Sequence, residues 1–132
     1  MIDWEALFRS AKSVREHAYT PYSTFAVGAA LLDEQGRIFV GCNVENASFG
    51  LTNCAERSAV FAMIAGGGKR VKALVVVAGA PRAISPCGAC RQVLAEFSEA
   101  TTPVQLFNLK EDHIETTVGD LLPYAFMKTD MQ

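Results

Sequence analysis

Lys72-Ala73-Leu74-Val75-Val76-Val77-Ala78-Gly79 is a short apolar run, rich in β-branched residues and closed by a glycine. Unbroken apolar character over this length is the pattern of a strand buried on both faces, which requires helices on both sides of a sheet. The neighbouring segments supply them. Upstream, Ala55-Glu56-Arg57-Ser58-Ala59-Val60-Phe61-Ala62-Met63-Ile64-Ala65 repeats apolar residues at helical spacing and stops at Gly66-Gly67-Gly68. Downstream, Arg91-Gln92-Val93-Leu94-Ala95-Glu96-Phe97 shows the helical pattern again.

Working further out, residues 26–32 and 37–42 read as strands joined by Asp33-Glu34-Gln35-Gly36, a loop short enough for an antiparallel hairpin. Before them, Trp4, Leu7, Phe8, Ala11 and Val14 form the apolar stripe of a first helix, capped by Asp3, that ends ahead of Tyr19-Thr20-Pro21-Tyr22-Ser23-Thr24. After the third helical pattern, residues 104–109 and 113–118 complete a set of five strands, and Gly119-Asp120-Leu121-Leu122-Pro123 opens a short C-terminal turn or helix. The order αββαβαββ predicts an α/β fold with a mixed five-stranded sheet covered by helices, in a single domain over residues 1–132.

Composition bounds the function. Half of the 132 residues are apolar, enough for a sizeable core, and there is no internal repeat. A formal charge of −2 offers no basic footprint for a polyanion, so nucleic acid is not an expected partner. The longest apolar runs, residues 26–32 and 73–80, are too short to span a bilayer, and Met1-Ile2-Asp3-Trp4-Glu5 lacks the pattern of a signal peptide. A soluble cytoplasmic protein with reduced thiols and no membrane partner is the expectation.

The chemistry concentrates in two segments, Cys54-Ala55-Glu56 and Pro86-Cys87-Gly88-Ala89-Cys90. Three thiolates suit a tetrahedral zinc ion, and three protein ligands leave its fourth position open, as catalytic rather than structural sites do. Each segment opens a helix, so two positive dipole ends converge on the thiols and favour the thiolate form. Arg57 and Arg91 add full positive charges nearby, and Arg57 is expected to offset the charge of the thiolates from behind. Glu56, two residues after a ligand, is placed to move a proton without ligating. Other readings of Cys-x-x-Cys are a redox pair, a disulfide or half of a structural zinc knot. Cys42 follows a strand and is expected to pack in the core, or else to close the zinc shell. His17 and His113 show no ligand spacing.

Asn43-Val44-Glu45-Asn46-Ala47-Ser48, Cys54-Ala55-Glu56-Arg57 and Pro86-Cys87-Gly88-Ala89-Cys90-Arg91-Gln92 resemble the motifs of the small homotetrameric, zinc-dependent cytidine deaminases. The similarity extends from Tyr22-Ser23-Thr24-Phe25-Ala26-Val27-Gly28-Ala29 to Leu121-Leu122-Pro123-Tyr124-Ala125-Phe126. It implies an αβα sandwich of cytidine deaminase type, hydrolysis of cytidine and deoxycytidine to uridine and deoxyuridine with release of ammonia, and a role in pyrimidine salvage. The pattern of three cysteines and a non-ligating glutamate is the one described for zinc deaminases as a class. The resemblance further implies one Zn²⁺ per chain on Cys54, Cys87 and Cys90, with Glu56 as acid and base and with Arg57 and Gln92 supporting the ligands. It assigns Asn43 and Glu45 to the ribose 3′-hydroxyl, Phe25 to the base, the Ala55 amide to the pyrimidine, and Phe126 to a neighbouring subunit's site. Where many relatives carry tyrosine, this chain has Phe49, so any contact of that hydroxyl is missing.

Overall fold

The computed structural model describes residues 1–132. Helix α1 spans Trp4–Val14, β1 Val27–Asp33, β2 Ile38–Cys42, α2 Ala55–Ala65, β3 Val71–Ala78, α3 Gly88–Glu96, β4 Pro103–Asn108, β5 His113–Thr117, and a single turn, α4, Val118–Leu121. The five strands form one sheet in the order β2-β1-β3-β4-β5. Only β3 and β4 pair in parallel, from Leu74 beside Val104 to Ala78 beside Asn108; the other neighbours are antiparallel. This is the mixed sheet expected from the element order. No helix is long and apolar enough to cross a membrane.

Alternation along β1 and β3 divides the core. Ala29, Leu31, Leu74 and Val76 face α2 and α3, whereas Ala30, Ala73, Val75 and Val77 face Leu7 and Ala11 of α1. Residues 73–78 are buried throughout, as a central strand requires. Close approach of the layers depends on two glycines. A Cβ at Gly28 would overlap the Ala11 carbonyl of α1, and one at Gly41 would overlap Ala55 and Ala59 of α2.

The register explains where a site can form. Gly28 of β1 lies opposite both Cys42 of β2 and Val77 of β3, so β2 and β3 run in the same direction and end at the same edge of the sheet. Helices α2 and α3 follow those two strands and therefore both begin at that edge. The opposite edge is tied down instead. Buried Asp33 accepts from the amides of Gln35 and Arg37 and from Arg37 Nε at 2.9 Å. Glu34 accepts from the amides of Lys69 and Arg70, which hold its carboxyl down at about 2.

Strand ends differ by a residue from the sequence expectation, for local reasons. Strand β1 starts at Val27, whose amide is taken by Asn43 Oδ1, and runs on through a bulge to Asp33. Short 3₁₀ turns at Arg15–His17, Phe49–Leu51 and Lys128–Met131 carry no periodic signal. One expectation is corrected. Cys42 lies outside both core clusters and is only half-buried, because β2 is an edge strand; its partial burial raises the thiol pKa.

Candidate metal centre and active-site cleft

Cys54 and Cys87 are the N-cap residues of α2 and α3, both with extended backbone, and Cys90 sits in the first turn of α3. Neither cap side chain bonds its own helix. The thiols turn to one another: all three sulfurs lie within 4.8 Å, and Cys54 Sγ is 3.7 Å from Cys87 Sγ. A zinc ion with bonds of 2.3 Å to tetrahedral sulfurs separates them by about 3.8 Å, so the donor set fits that metal. Cys42 is not part of the cluster, which leaves the shell with three protein ligands.

Charge is arranged accordingly. The Cys54 thiol is pulled down to about 5, chiefly by hydrogen bonding from Cys90 and further by Arg57 and Cys87, against the opposing effect of burial. Cys90 moves the other way, because it shares its proton with Cys54 and is buried. Arg57 Nη2 lies 3.3 Å from Cys54 Sγ, and this contact holds the guanidinium charged. Arg57 Nε is buried without a partner. Arg57 thus stands beside the Cys54 sulfur.

Glu56 is 5% exposed and burial raises its carboxyl to about 7, with the Cys54 charge adding to the rise. A carboxyl poised near neutrality can both take and give a proton. It shares a cleft of about 210 Å³ with Phe25, Asn43, Cys54, Ala55 and Cys87, so six of the residues singled out from sequence converge. Val27, Val76, Ile84 and Ser85 also line it. Sequence reasoning passed over these four: the loop before Pro86 has no periodicity, and Val27 and Val76 looked like any core valines.

Asn43 and Glu45 are busy with backbone. Asn43 Oδ1 accepts from the Val27 amide at 2.9 Å and Nδ2 donates to the Phe25 carbonyl at 2.8 Å. Glu45 accepts from the amides of Tyr22 and Ser23 and from the Ser23 hydroxyl, which together hold its carboxylate below the usual range. Together they shape the loop that carries Phe25. Phe126 is exposed and does not line the cleft of its own chain. Gln92 makes no hydrogen bond to the ligands; its Nε2 donates to the Phe126 carbonyl at 2.8 Å. Phe49 packs edge-on against Tyr22, with ring centroids 5.7 Å apart.

Known proteins share this sequence and this fold. Residues 1–106 match the family model described as the cytidine and deoxycytidylate deaminase zinc-binding region. The chain is 55% identical over 130 residues to a cytidine deaminase of Sporosarcina psychrophila, covering 98% of this chain and 96% of that one. It is 46% identical to a cytidine deaminase of Mycobacterium tuberculosis, over 98% of this chain and 94% of the other. Among solved structures, a cytidine deaminase from Burkholderia pseudomallei superposes with a TM-score of 0.90 at 51% identity, over 96% of this chain and all of that one. With the family model matched over residues 1–106 and these relatives matched over nearly the whole chain, this protein belongs to the zinc-binding cytidine and deoxycytidylate deaminase family.

Proposed function

We propose that this chain hydrolyses cytidine and deoxycytidine to uridine and deoxyuridine with release of ammonia, as an enzyme of pyrimidine salvage. The observation that carries this is the buried Glu56 carboxyl in one small cleft with Cys54 and Cys87, whose sulfurs cluster with that of buried Cys90. One zinc ion per chain, held by those three thiolates, supplies the Lewis acidity that makes water a nucleophile at neutral pH. Glu56 accepts the proton of the attacking water and delivers it to N3 of the cytosine as oxygen bonds to C4. It then helps protonate the exocyclic amine, which leaves as ammonia while the C4 carbonyl forms. Atoms balance with water as the only co-substrate.

In this reading Phe25, Asn43 and Ala55 of the cleft wall, with Glu45 beside it, bind the nucleoside. Phe25 packs on the base, and the Ala55 amide, at the first turn of α2, bonds the pyrimidine. Asn43 and Glu45 take the ribose 3′-hydroxyl. Their bonds to the 22–27 segment leave one N–H of Asn43 and one lone pair of Glu45 Oε2 for this purpose. Glu45→Ala should raise KM for cytidine on the order of ten- to a hundredfold, the worth of one charge-assisted hydrogen bond, with a smaller change in kcat. An unchanged KM removes Glu45 from the ribose.

Arg57 offsets the charge of the thiolates. Arg57→Gln should move the acid limb of the kcat/KM profile upward by about one unit, since the ligands then donate more charge to the metal. A profile that stays in place contradicts that role.

The assembly we favour is a homotetramer in which Phe126 enters a neighbour's cleft. In support, Phe49 and Phe126 are 74% and 60% exposed, and Leu51, Phe61 and Ile64 add to the exposed apolar surface. Reduced thiols at the site fit a cytoplasmic location. The reading is tested by incubating zinc-quantified protein with cytidine, deoxycytidine, cytosine, deoxycytidine 5′-monophosphate and a cytosine-containing oligonucleotide. Turnover of the two nucleosides alone is expected, and turnover only of the phosphorylated substrates would replace the reading.

A further inference from the structure

Arg91 follows ligand Cys90 directly, and its guanidinium reaches three oxygens, two in the loop just before α3 and one at the end of α4. Nε donates to the Pro86 carbonyl at 2.7 Å, Nη1 to the Leu121 carbonyl at 2.7 Å, and Nη2 to the Ser85 hydroxyl at 2.6 Å. No carboxylate pairs with it. A planar fork with all its partners neutral acts through geometry: the three acceptors fix its plane, and it fixes their relative positions.

Two of those acceptors belong to the loop that carries ligand Cys87 and the Ser85 wall of the cleft. The third begins the segment that ends in Phe126. Residues 123–126 make no backbone-to-backbone hydrogen bond, and Tyr124 within them has φ +56 and is fully exposed. Side-chain donors hold the segment's two ends, Arg91 at Leu121 and Gln92 at Phe126. Both donors stand on α3, one and two residues past a metal ligand.

We propose that Arg91 is a positioning residue that couples the Ser85-Pro86-Cys87 loop to the 121–126 segment, so that ligand geometry at Cys87 and the placement of Phe126 are set together. This rests on the zinc reading of the three thiols. In a tetramer whose tails enter neighbouring clefts, it makes the metal loop of one copy a determinant of substrate binding in the next.

Arg91→Lys keeps the charge but presents a compact ammonium that cannot serve three divergent acceptors. On the zinc-loaded protein we expect at least tenfold faster transfer of zinc to a colorimetric chelator. Amide hydrogen exchange should rise in residues 83–87 and 121–126 together, with α1 and the β1–β2 hairpin unchanged. Gln92→Ala should loosen 121–126 and leave zinc transfer at the wild-type rate. Unchanged zinc transfer in Arg91→Lys, or exchange that rises in only one of the two segments, overturns the coupling. Should Arg91→Lys fail to fold, Ser85→Ala removes one acceptor, and the same two readouts decide: faster zinc transfer supports the proposal and an unchanged rate overturns it. These readouts use no substrate, so a zinc-replete protein that deaminates nothing would sink the functional reading while the coupling stands or falls separately.

Discussion

Glu56→Gln should keep the fold and the zinc and lose about 10⁴-fold in kcat, the upper range for a general acid-base group. Glutamine preserves the shape of a side chain packed in a buried position, so neither α2 nor the neighbouring thiols have cause to move. What it removes is the exchangeable proton site. Burial already raises the carboxyl to about 7, so both of its protonation states are accessible near neutral pH, and a bound divalent cation beside it works in the opposite direction. The amide can occupy the same place in the cleft but cannot carry a proton from water to N3 or to the departing amine. KM should change far less than kcat. A kcat within tenfold of wild type, at equal zinc content, would take the proton transfer away from Glu56.

Cys90→Ala should abolish zinc retention and reduce turnover to background while the protein stays folded. Cys90 is fully buried in the first turn of α3, and its sulfur completes the three-thiol cluster. Two remaining thiols do not hold a tetrahedral metal ion tightly. The hydrophobic clusters on the two faces of the sheet are built from Leu, Val, Ala and Met and include no cysteine. Folding is therefore expected to survive metal loss, with a melting temperature lowered by several degrees. This separates a catalytic centre from a zinc-stabilised module, whose fold depends on the ion. Metal content by elemental analysis and far-UV circular dichroism of the same sample decide it: unfolding on loss of zinc would favour the module.

The chemistry-bearing residues were legible in the chain because their geometry is local. A Cys-x-x-Cys at a helix start places two sulfurs about one turn apart, and Cys54-Ala55-Glu56 puts a ligand and a carboxylate at the cap and in the first turn of another helix. The layered fold was legible because residues 73–78 read as a strand buried on both faces and helical patterns flank it. Strand order was not, and the misplacement of Cys42 follows from that: an edge strand and an inner strand share the same alternation, and only pairing tells them apart. The attachment of Asn43 and Glu45 to the 22–27 backbone, like the reach of Arg91 to Leu121, joins residues 16 to 30 positions apart. Such contacts depend on tertiary packing and leave no periodic trace. Arg91 was read only as a charge near the metal, and its three neutral acceptors give it a different part.

Ammonia release from cytidine, measured for wild type and for Glu56→Gln at matched zinc content, tests the central claim most directly. Equimolar uridine and ammonia from the wild type, with release from the variant reduced by orders of magnitude, is the predicted result. Zinc-replete wild type that releases no ammonia, or a variant that matches it, would contradict the account.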